Sequence, residues 1–241
     1  MYTAGTANYH SLQTSLEHRF SNGFNLVSNF TWGHVIDDHQ CRGGCANNVG
    51  PFPVLSSNRR LDRANSDIDL RLRWAMMASY ELPLAKGRGG FRGALLNGWQ
   101  VNAIAAMQSG QVFSISNSSP RANTGSGDRP NLVADSWSTP QSINQWFNTA
   151  AFAGQPLYTL GTLGRNTMYG PPMKNLDTSA FKTFALREQT KLQFRAEFFN
   201  VLNHPNFGKP ASSLGATGFG VISDTANYLP RNVQIALKLL F

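Results

Sequence analysis

The sequence predicts an all-β, antiparallel fold, and three observations support that prediction. Apolar and polar residues alternate with a period of two in seven long segments, which is the pattern of strands with one apolar face. The connections between these segments alternate between short and long, as in an up-and-down antiparallel sheet. The segments run to about 11 residues, whereas strands of water-soluble proteins commonly have roughly five or six.

The first two segments predict a hairpin. Residues 10–20, HSLQTSLEHRF, and residues 24–32, FNLVSNFTW, both alternate between apolar and polar side chains. The SNG sequence between them, residues 21–23, is an Asn-Gly type of turn, which joins antiparallel strands. We expect the two segments to pair directly.

Five further segments repeat the period of two. The fifth of the seven includes a predicted bulge near Phe181. The five segments are IDLRLRWAM (68–76), GWQVNAIAAM (98–107), LDTSAFKTF (176–184), KLQFRAEFF (191–199) and NVQIALKLLF (232–241).

Strand length favours a transmembrane β-barrel segment over a soluble β-sandwich. About 11 residues rise roughly 36 Å and, at a tilt of about 40°, cross roughly 28 Å, close to the apolar band of an outer-membrane barrel. A membrane-spanning helix needs roughly 18 to 20 apolar residues, and the densest patches, residues 74–78 and 103–107, are far shorter. Transmembrane helices are therefore excluded.

The two faces of the predicted strands differ in a way that fits a barrel wall. The wet face has nearly balanced charge, which suits a water-filled lumen, and the apolar face has aromatic residues near strand ends, as interfacial girdles do. The predicted lumen-facing charges are Glu17, Arg19, Asp69, Arg71, Arg73, Asp177, Arg195, Glu197 and Lys238. The predicted girdle residues are Phe20, Phe24, Trp32 and Trp99, with Phe241.

The lengths of the connections predict an orientation. Short turns at residues 21–23 and 187–190 would be periplasmic, and the long loops at residues 35–67, 116–174 and 203–228 would be extracellular. Inside the longest loop, TPQSINQWF has a possible N-cap at Thr139 followed by proline, which predicts a short helix over residues 139–147.

Charge and motifs narrow the class of function. The net charge is +8, but the basic residues are scattered and form no stripe for a phosphate backbone, so nucleic acid is not expected as a partner. The stretch GRGGFRG, residues 87–93, is interpreted as a glycine-rich turn. No nucleophile elbow, zinc-protease, phosphate-loop or dinucleotide motif is present, so neither an enzyme nor a cofactor is expected.

Cys41 and Cys45 allow two interpretations. With Asp37, Asp38 and His39 they could hold a metal ion. Two cysteines in an extracellular loop more often form a disulfide, and a disulfide is favoured here.

Several longer motifs, taken together in their order, resemble the C-terminal part of Oar-like TonB-dependent outer-membrane receptors. The resemblance covers nearly the whole chain. The motifs are NYHSLQTSLEHRFSNGFNLVSNFTWGHVIDD, GWQVNAIAAMQSGQVFSI, GDRPNLV, WFNTAAF, LGRNTMYGPPMKNLDTSAFKTF and LQFRAEFFNVLNHPNFGKP.

The resemblance implies import of a large solute across the bacterial outer membrane, through a barrel of about 22 strands that is filled by a plug. Its implied partners are outer-membrane lipid, the barrel assembly machinery and, through the plug, the TonB complex. The solute is not identified: iron chelates, cobalamin, glycans and peptides all stay open. A structural or adhesive outer-membrane barrel without transport is the alternative.

Seven strands are fewer than the smallest single-chain barrels have, so we expect residues 1–241 to be an incomplete, C-terminal barrel segment without signal peptide, plug or TonB box. The resemblance also implies that the last strand is an assembly signal. Its alternate apolar residues are Val233, Ile235, Leu237, Leu239 and Phe241. The competing interpretation treats Phe241 as an ordinary girdle aromatic.

Overall fold

The computed structural model describes residues 5–20, 23–38, 53–55, 57–84, 90–125, 127–135, 137–138, 140–186, 189–226 and 229–241. Most of the regular structure lies in one antiparallel sheet with seven long strands. The strands are β1 (Ala7–Arg19), β2 (Phe24–Asp37), β3 (Leu72–Leu82), β4 (Trp99–Gln108), β5 (Met173–Ala185), β6 (Lys191–Phe199) and β7 (Asn232–Leu240).

The strands lie in chain order, and each pairs with the next one along the sequence. A short strand, Ala64–Asn65, also pairs with the end of β2. Among the described residues β1 and β7 do not pair with each other, so the sheet is open. The connections between β1 and β2, β3 and β4, and β5 and β6 define the short-loop end of the sheet, and the other three define the long-loop end.

The register of the sheet gives it one polar face and one apolar face. Directly opposite residues of an antiparallel pair have their side chains on the same face, so the register can be followed across all the strands. One continuous row on the polar face is Arg19, Asn25, Ser79, Asn102, Ser179, Glu197 and Gln234. The opposite face includes Leu26, Trp74, Val101, Leu176, Phe194 and Leu237.

The third long strand begins later than the alternation predicts. It starts at Leu72, so Ile68, Asp69 and Arg71 precede it. The buried carboxylate of Asp69 accepts the N–H of Val35 at 2.7 Å, and Asp69 donates its own N–H to Ser66. The backbone N–H of Val35 on β2 therefore bonds to the side chain of Asp69 in a turn, and not to the backbone of a neighbouring strand as predicted. Short acidic side chains often replace backbone acceptors in this way.

The predicted bulge near Phe181 is absent. Pairing between β5 and β4 runs without interruption from Met173 to Lys182. Phe181 therefore lies on the polar face, where the Arg195 guanidinium stacks over its ring at 4.4 Å. Lys182 lies on the apolar face, and its ammonium donates to the carbonyl of Asn97. The stacking on Arg195 stabilises the aromatic ring of Phe181 on the polar face, and the hydrogen bond to Asn97 stabilises the ammonium of Lys182 on the apolar face.

The helices also differ from the prediction. The segment around residues 139–147 forms no helix in its described part, because Gln141 has φ of +59° and donates its N–H to Trp146 in a closed turn. A helix, α1, occurs at Gly90–Leu96, where a glycine-rich turn was predicted. Two 3₁₀ turns lie in the loops, at Arg59–Asp62 and Thr149–Ala151.

The long connections form a packed unit, which we call the loop subdomain: the described residues among 109–172 and 205–226. Three pairs of two-residue strands join it: Val112–Phe113 with Met168–Tyr169, Asn131–Leu132 with Phe152–Ala153, and Ser116–Asn117 with Ser213–Leu214. Its buried apolar cluster is Phe113, Ile115, Phe147, Ala151, Phe152, Leu163 and Met168.

The core of the described protein therefore lies in the loops, and the apolar face of the sheet is uncovered. Trp32 is 58% exposed, Ile235 67% and Leu237 69%. Exposed apolar area costs about 25 cal/mol per Å² in water, so a face of this size requires an apolar surrounding. No helix in the described part of the chain is long and apolar enough to cross a membrane.

Candidate functional site

The candidate site is the polar face of the sheet together with the loop subdomain at its long-loop end. Hydrogen bonds cross between strands along the polar row. The Asn102 amide donates to the Ser179 hydroxyl at 3.1 Å, and the Asn25 amide donates to the Ser79 hydroxyl at 3.4 Å. Short polar side chains at the same level thus line the face with both donors and acceptors.

Charged side chains on this face are paired along their own strands. Arg195 donates to Glu197 at 2.7 Å on β6, and Arg19 donates to Glu17 at 3.0 Å on β1. Asp177 accepts the Asn175 amide at 2.9 Å and a backbone N–H from the loop after β6. The polar face can therefore hold water and polar ligands without a large net charge.

The remaining predicted charges divide into two groups. Arg73 lies opposite Thr31 and Gln108, and Lys238 lies opposite Gln193, all on the polar face. Asp69 and Arg71 precede β3, so their predicted positions within that strand are wrong.

Asp69 and Arg71 instead belong to a network that joins the sheet to the loop subdomain. Arg71 donates to Asp69 at 3.0 Å and to the hydroxyl of Tyr169 at 3.2 Å. Arg165, from the same part of the loop subdomain, pairs with Asp37 at the end of β2. These contacts attach the loop subdomain to the long-loop ends of β2 and β3.

A buried ion pair holds three loop segments together. Arg129 donates to Asp62 at 3.1 Å, and neither side chain is more than 6% exposed. The same guanidinium donates to the carbonyls of Leu163 and Leu61, both at 2.9 Å. Sequence reasoning missed this pair, because the partners are 67 residues apart and nothing local marks them.

Asp128, the neighbour of Arg129 in the GDRPNLV motif, stabilises another turn of the loop subdomain by accepting hydrogen bonds. Its carboxylate accepts the N–H groups of Arg121 and Ala122, both at 2.7 Å, and amide donors from Asn117 and Gln155. Burial alone would raise the pKa of Asp128, but these donors outweigh burial and hold the pKa below its usual value.

The predicted girdle residues lie at two levels of the apolar face. Phe20 and Phe24 are in contact at the short-loop end, with ring centroids 5.3 Å apart, and Trp99 begins β4 at the same end. Trp32 lies toward the other end, opposite Leu72. Sequence reasoning missed Tyr80, whose ring packs against Phe24 at 6.0 Å.

The last strand has the alternation that the sequence predicts. The alternate apolar residues that the sequence predicts lie on the apolar face within β7, while Leu240 lies on the polar face opposite Lys191. Phe241, the last member of the predicted set, follows one residue beyond β7 and is 92% exposed. The other members of that set are Val233, Ile235, Leu237 and Leu239. Their role as an assembly signal stays a prediction.

Cys41, Cys45 and His39 of the predicted cysteine site lie outside the described residues. Among the residues that are described, no three His, Cys, Asp or Glu side chains are grouped so that they could hold a metal ion.

Comparison with protein families gives a match over residues 1–234, to the family described as "Outer membrane beta barrel domain". No curated protein and no solved structure matches the chain. The match covers nearly the whole chain and agrees with the antiparallel sheet and its uncovered apolar face. The chain therefore belongs to the outer membrane beta barrel domain family, and its location is the bacterial outer membrane.

Proposed function

We propose that this chain is part of the barrel wall of a TonB-dependent receptor that imports a large solute. One observation carries the proposal: the sheet is open, yet its polar row continues across all seven strands. A wall of this kind suits a wide, water-filled barrel, since a small closed barrel fills its interior with packed side chains. The sequence motifs that resemble Oar-like receptors support the same assignment.

In this proposal the polar face lines the lumen, the apolar face contacts outer-membrane lipid, and the loop subdomain lies outside the cell over the barrel mouth. The assembly machinery recognises β7, and the TonB complex acts through a plug outside residues 1–241. The protein works by binding and passage of the solute, without catalysis, a cofactor or nucleic acid.

An adhesive outer-membrane protein is the second candidate, and one loop feature favours it. Tyr158 is 77% exposed and has φ of +63°, and its neighbour Leu157 is 60% exposed. Non-glycine residues in this conformation cluster at functional sites, and two large exposed apolar side chains at a turn could contact a surface.

Growth on limiting solutes separates the two candidates. Cells with the full-length protein are supplied with iron chelates, cobalamin, glycans or peptides, with TonB present or absent. We expect one solute class to support growth only when both the protein and TonB are present, while the cells still bind that solute without TonB. Growth that is indifferent to TonB, together with loss of surface attachment in a Tyr158→Ala variant, would support adhesion instead.

A further inference from the structure

A groove crosses the apolar face of the sheet, and nothing described above uses it. Its volume is about 360 Å³. Phe24, the first residue of β2, and Tyr80 on β3 line one end, and Phe198 on β6 lines the other. The small residues that line the groove between them are Ala78, Ala103 and Ala180. These three lie on β3, β4 and β5, so the groove runs across the strands.

Larger side chains border the groove along the strands. Side chains two residues apart on one strand share a face. Met76 and Leu176 therefore lie beside the groove nearer to the long-loop end, and Leu82 and Trp99 lie beside it nearer to the short-loop end. Strands β2 to β6 each pair on both sides within the described sheet, so strands outside residues 1–241 do not set the shape of the groove.

Membrane lipid surrounds this face of the sheet. The family of the chain places it in the outer membrane, where acyl chains cover the apolar side of a barrel wall. Within lipid there is no hydrophobic driving force, so an acyl chain is held at one position only where it gains packing contacts. A groove with a fixed wall supplies such contacts: the ring of Phe24 packs against Tyr80 at 6.0 Å and against Phe20 at 5.3 Å.

Tyr80 adds a hydrogen-bond donor to the groove. It lies two residues before the end of β3, at the short-loop end of the apolar face. Its hydroxyl has no hydrogen-bond partner in the described part of the chain. Tyrosine near the end of a membrane strand places its ring among acyl chains and its hydroxyl at the level of the lipid headgroups. The ester carbonyl at the start of a phospholipid acyl chain lies at the same level and can accept from this hydroxyl.

We infer that the groove holds one acyl chain of a phospholipid, whose ester carbonyl accepts a hydrogen bond from the hydroxyl of Tyr80. Outer-membrane barrels have their short turns on the periplasmic side, and the leaflet on that side consists of phospholipid. The inference needs the location in the outer membrane but not the proposed import, so an adhesive barrel would retain the same lipid.

Native mass spectrometry of the purified full-length protein in detergent tests this inference. The probes are a phosphatidylethanolamine with ester-linked chains and its ether-linked analogue, which lacks the carbonyl groups. We expect the wild-type protein to bind the ester lipid at a saturable site and the ether lipid several-fold more weakly. Tyr80→Phe keeps the ring beside Phe24 and removes the hydroxyl. This variant should bind the two lipids equally, and as weakly as the wild type binds the ether lipid.

Ala103→Leu fills the groove, so it should weaken binding of the ester lipid about tenfold or more through lost contacts with the acyl chain. Thr14→Leu is the matched control. Thr14 lies on the apolar face of β1, opposite Phe30, and is outside the lining of the groove. A larger apolar side chain at this position should leave lipid binding unchanged.

Three results would overturn the inference: equal binding of ester and ether lipid to the wild type, wild-type binding in Ala103→Leu, or an equal loss in Thr14→Leu. A lipopolysaccharide or a second copy of the chain that is bound to the wild type and lost in Ala103→Leu would also overturn it, since the groove would then have another occupant. If phospholipid binds as expected but growth does not depend on TonB, the lipid site stands and the proposed import fails.

Discussion

Replacing Arg129 with alanine is expected to increase chymotrypsin cleavage of the loop subdomain about a hundredfold or more. The change removes the ion-pair contact of Arg129 with the buried carboxylate of Asp62, along with two donors to backbone carbonyls. Breaking a buried pair in this way costs roughly 3 to 5 kcal/mol. Phe147 and Phe152 are buried, whereas Tyr158 in the same unit is 77% exposed, so the rate of cleavage after Phe147 and Phe152 in the purified full-length protein is the quantity that reports the opening of this unit.

Arg59→Ala is the control for that experiment. Arg59 also pairs with an aspartate in the loops, but its contact with Asp38 is 3.4 Å long and its side chain is 30% exposed. Partly exposed pairs of this kind contribute at most about 1 kcal/mol, so cleavage should rise only a few-fold. Equal cleavage rates for Arg129→Ala and Arg59→Ala would show that the buried pair does not hold the loops together.

Replacing Gly161 with alanine should prevent the loop subdomain from closing. A Cβ at this position would lie 1.8 Å from the carbonyl oxygen of Arg129 and 2.6 Å from that of Pro130. Both are backbone atoms, so no side-chain rotation can relieve the overlap, and the two segments must separate. Leu163 would then lose its N–H bond to Pro130, along with its place in the buried cluster.

Gly154→Ala is the control that tests whether any glycine-to-alanine change in the loop subdomain opens it, or only the change at Gly161. Its Cβ would lie 3.4 Å from Cδ of Arg121, an ordinary contact with a flexible side chain. We expect Gly154→Ala to keep wild-type resistance to chymotrypsin, and Gly161→Ala to be cut as fast as Arg129→Ala or faster. Wild-type resistance in Gly161→Ala would mean that the close approach of these loops is not needed.

The sheet could be predicted because its signal is local. Each of the seven alternating segments contributes to a long strand of the structure, although the third strand begins four residues into its segment, at Leu72. The polar and apolar sets keep to their two faces across most of the sheet. A period of two is imposed on each strand by the pleat, so it can be detected without knowing the neighbours. Within β5, Phe181 and Lys182 break the period because contacts with Arg195 and Asn97, outside that strand, stabilise them.

The loop subdomain could not be predicted, because its signals are not local. Its buried residues follow neither a helical nor a strand period, and pairs such as Arg129 with Asp62 or Arg165 with Asp37 join distant segments. The predicted helix near residue 141 failed for the same reason, since Trp146 donates to Gly220 and Phe147 packs in the distant cluster.

The two faces of the sheet are the central claim, and nitroxide accessibility along β2 tests them most directly. Single labels are placed at positions 26 to 31 of the full-length protein in lipid bilayers, and their collisions with oxygen and with a water-soluble nickel chelate are compared. Labels at Leu26, Ser28 and Phe30 should favour oxygen, which concentrates in lipid, and labels at Val27, Asn29 and Thr31 should favour the chelate. Equal accessibility at the two sets, or the opposite alternation, would contradict a wall with its apolar face in lipid.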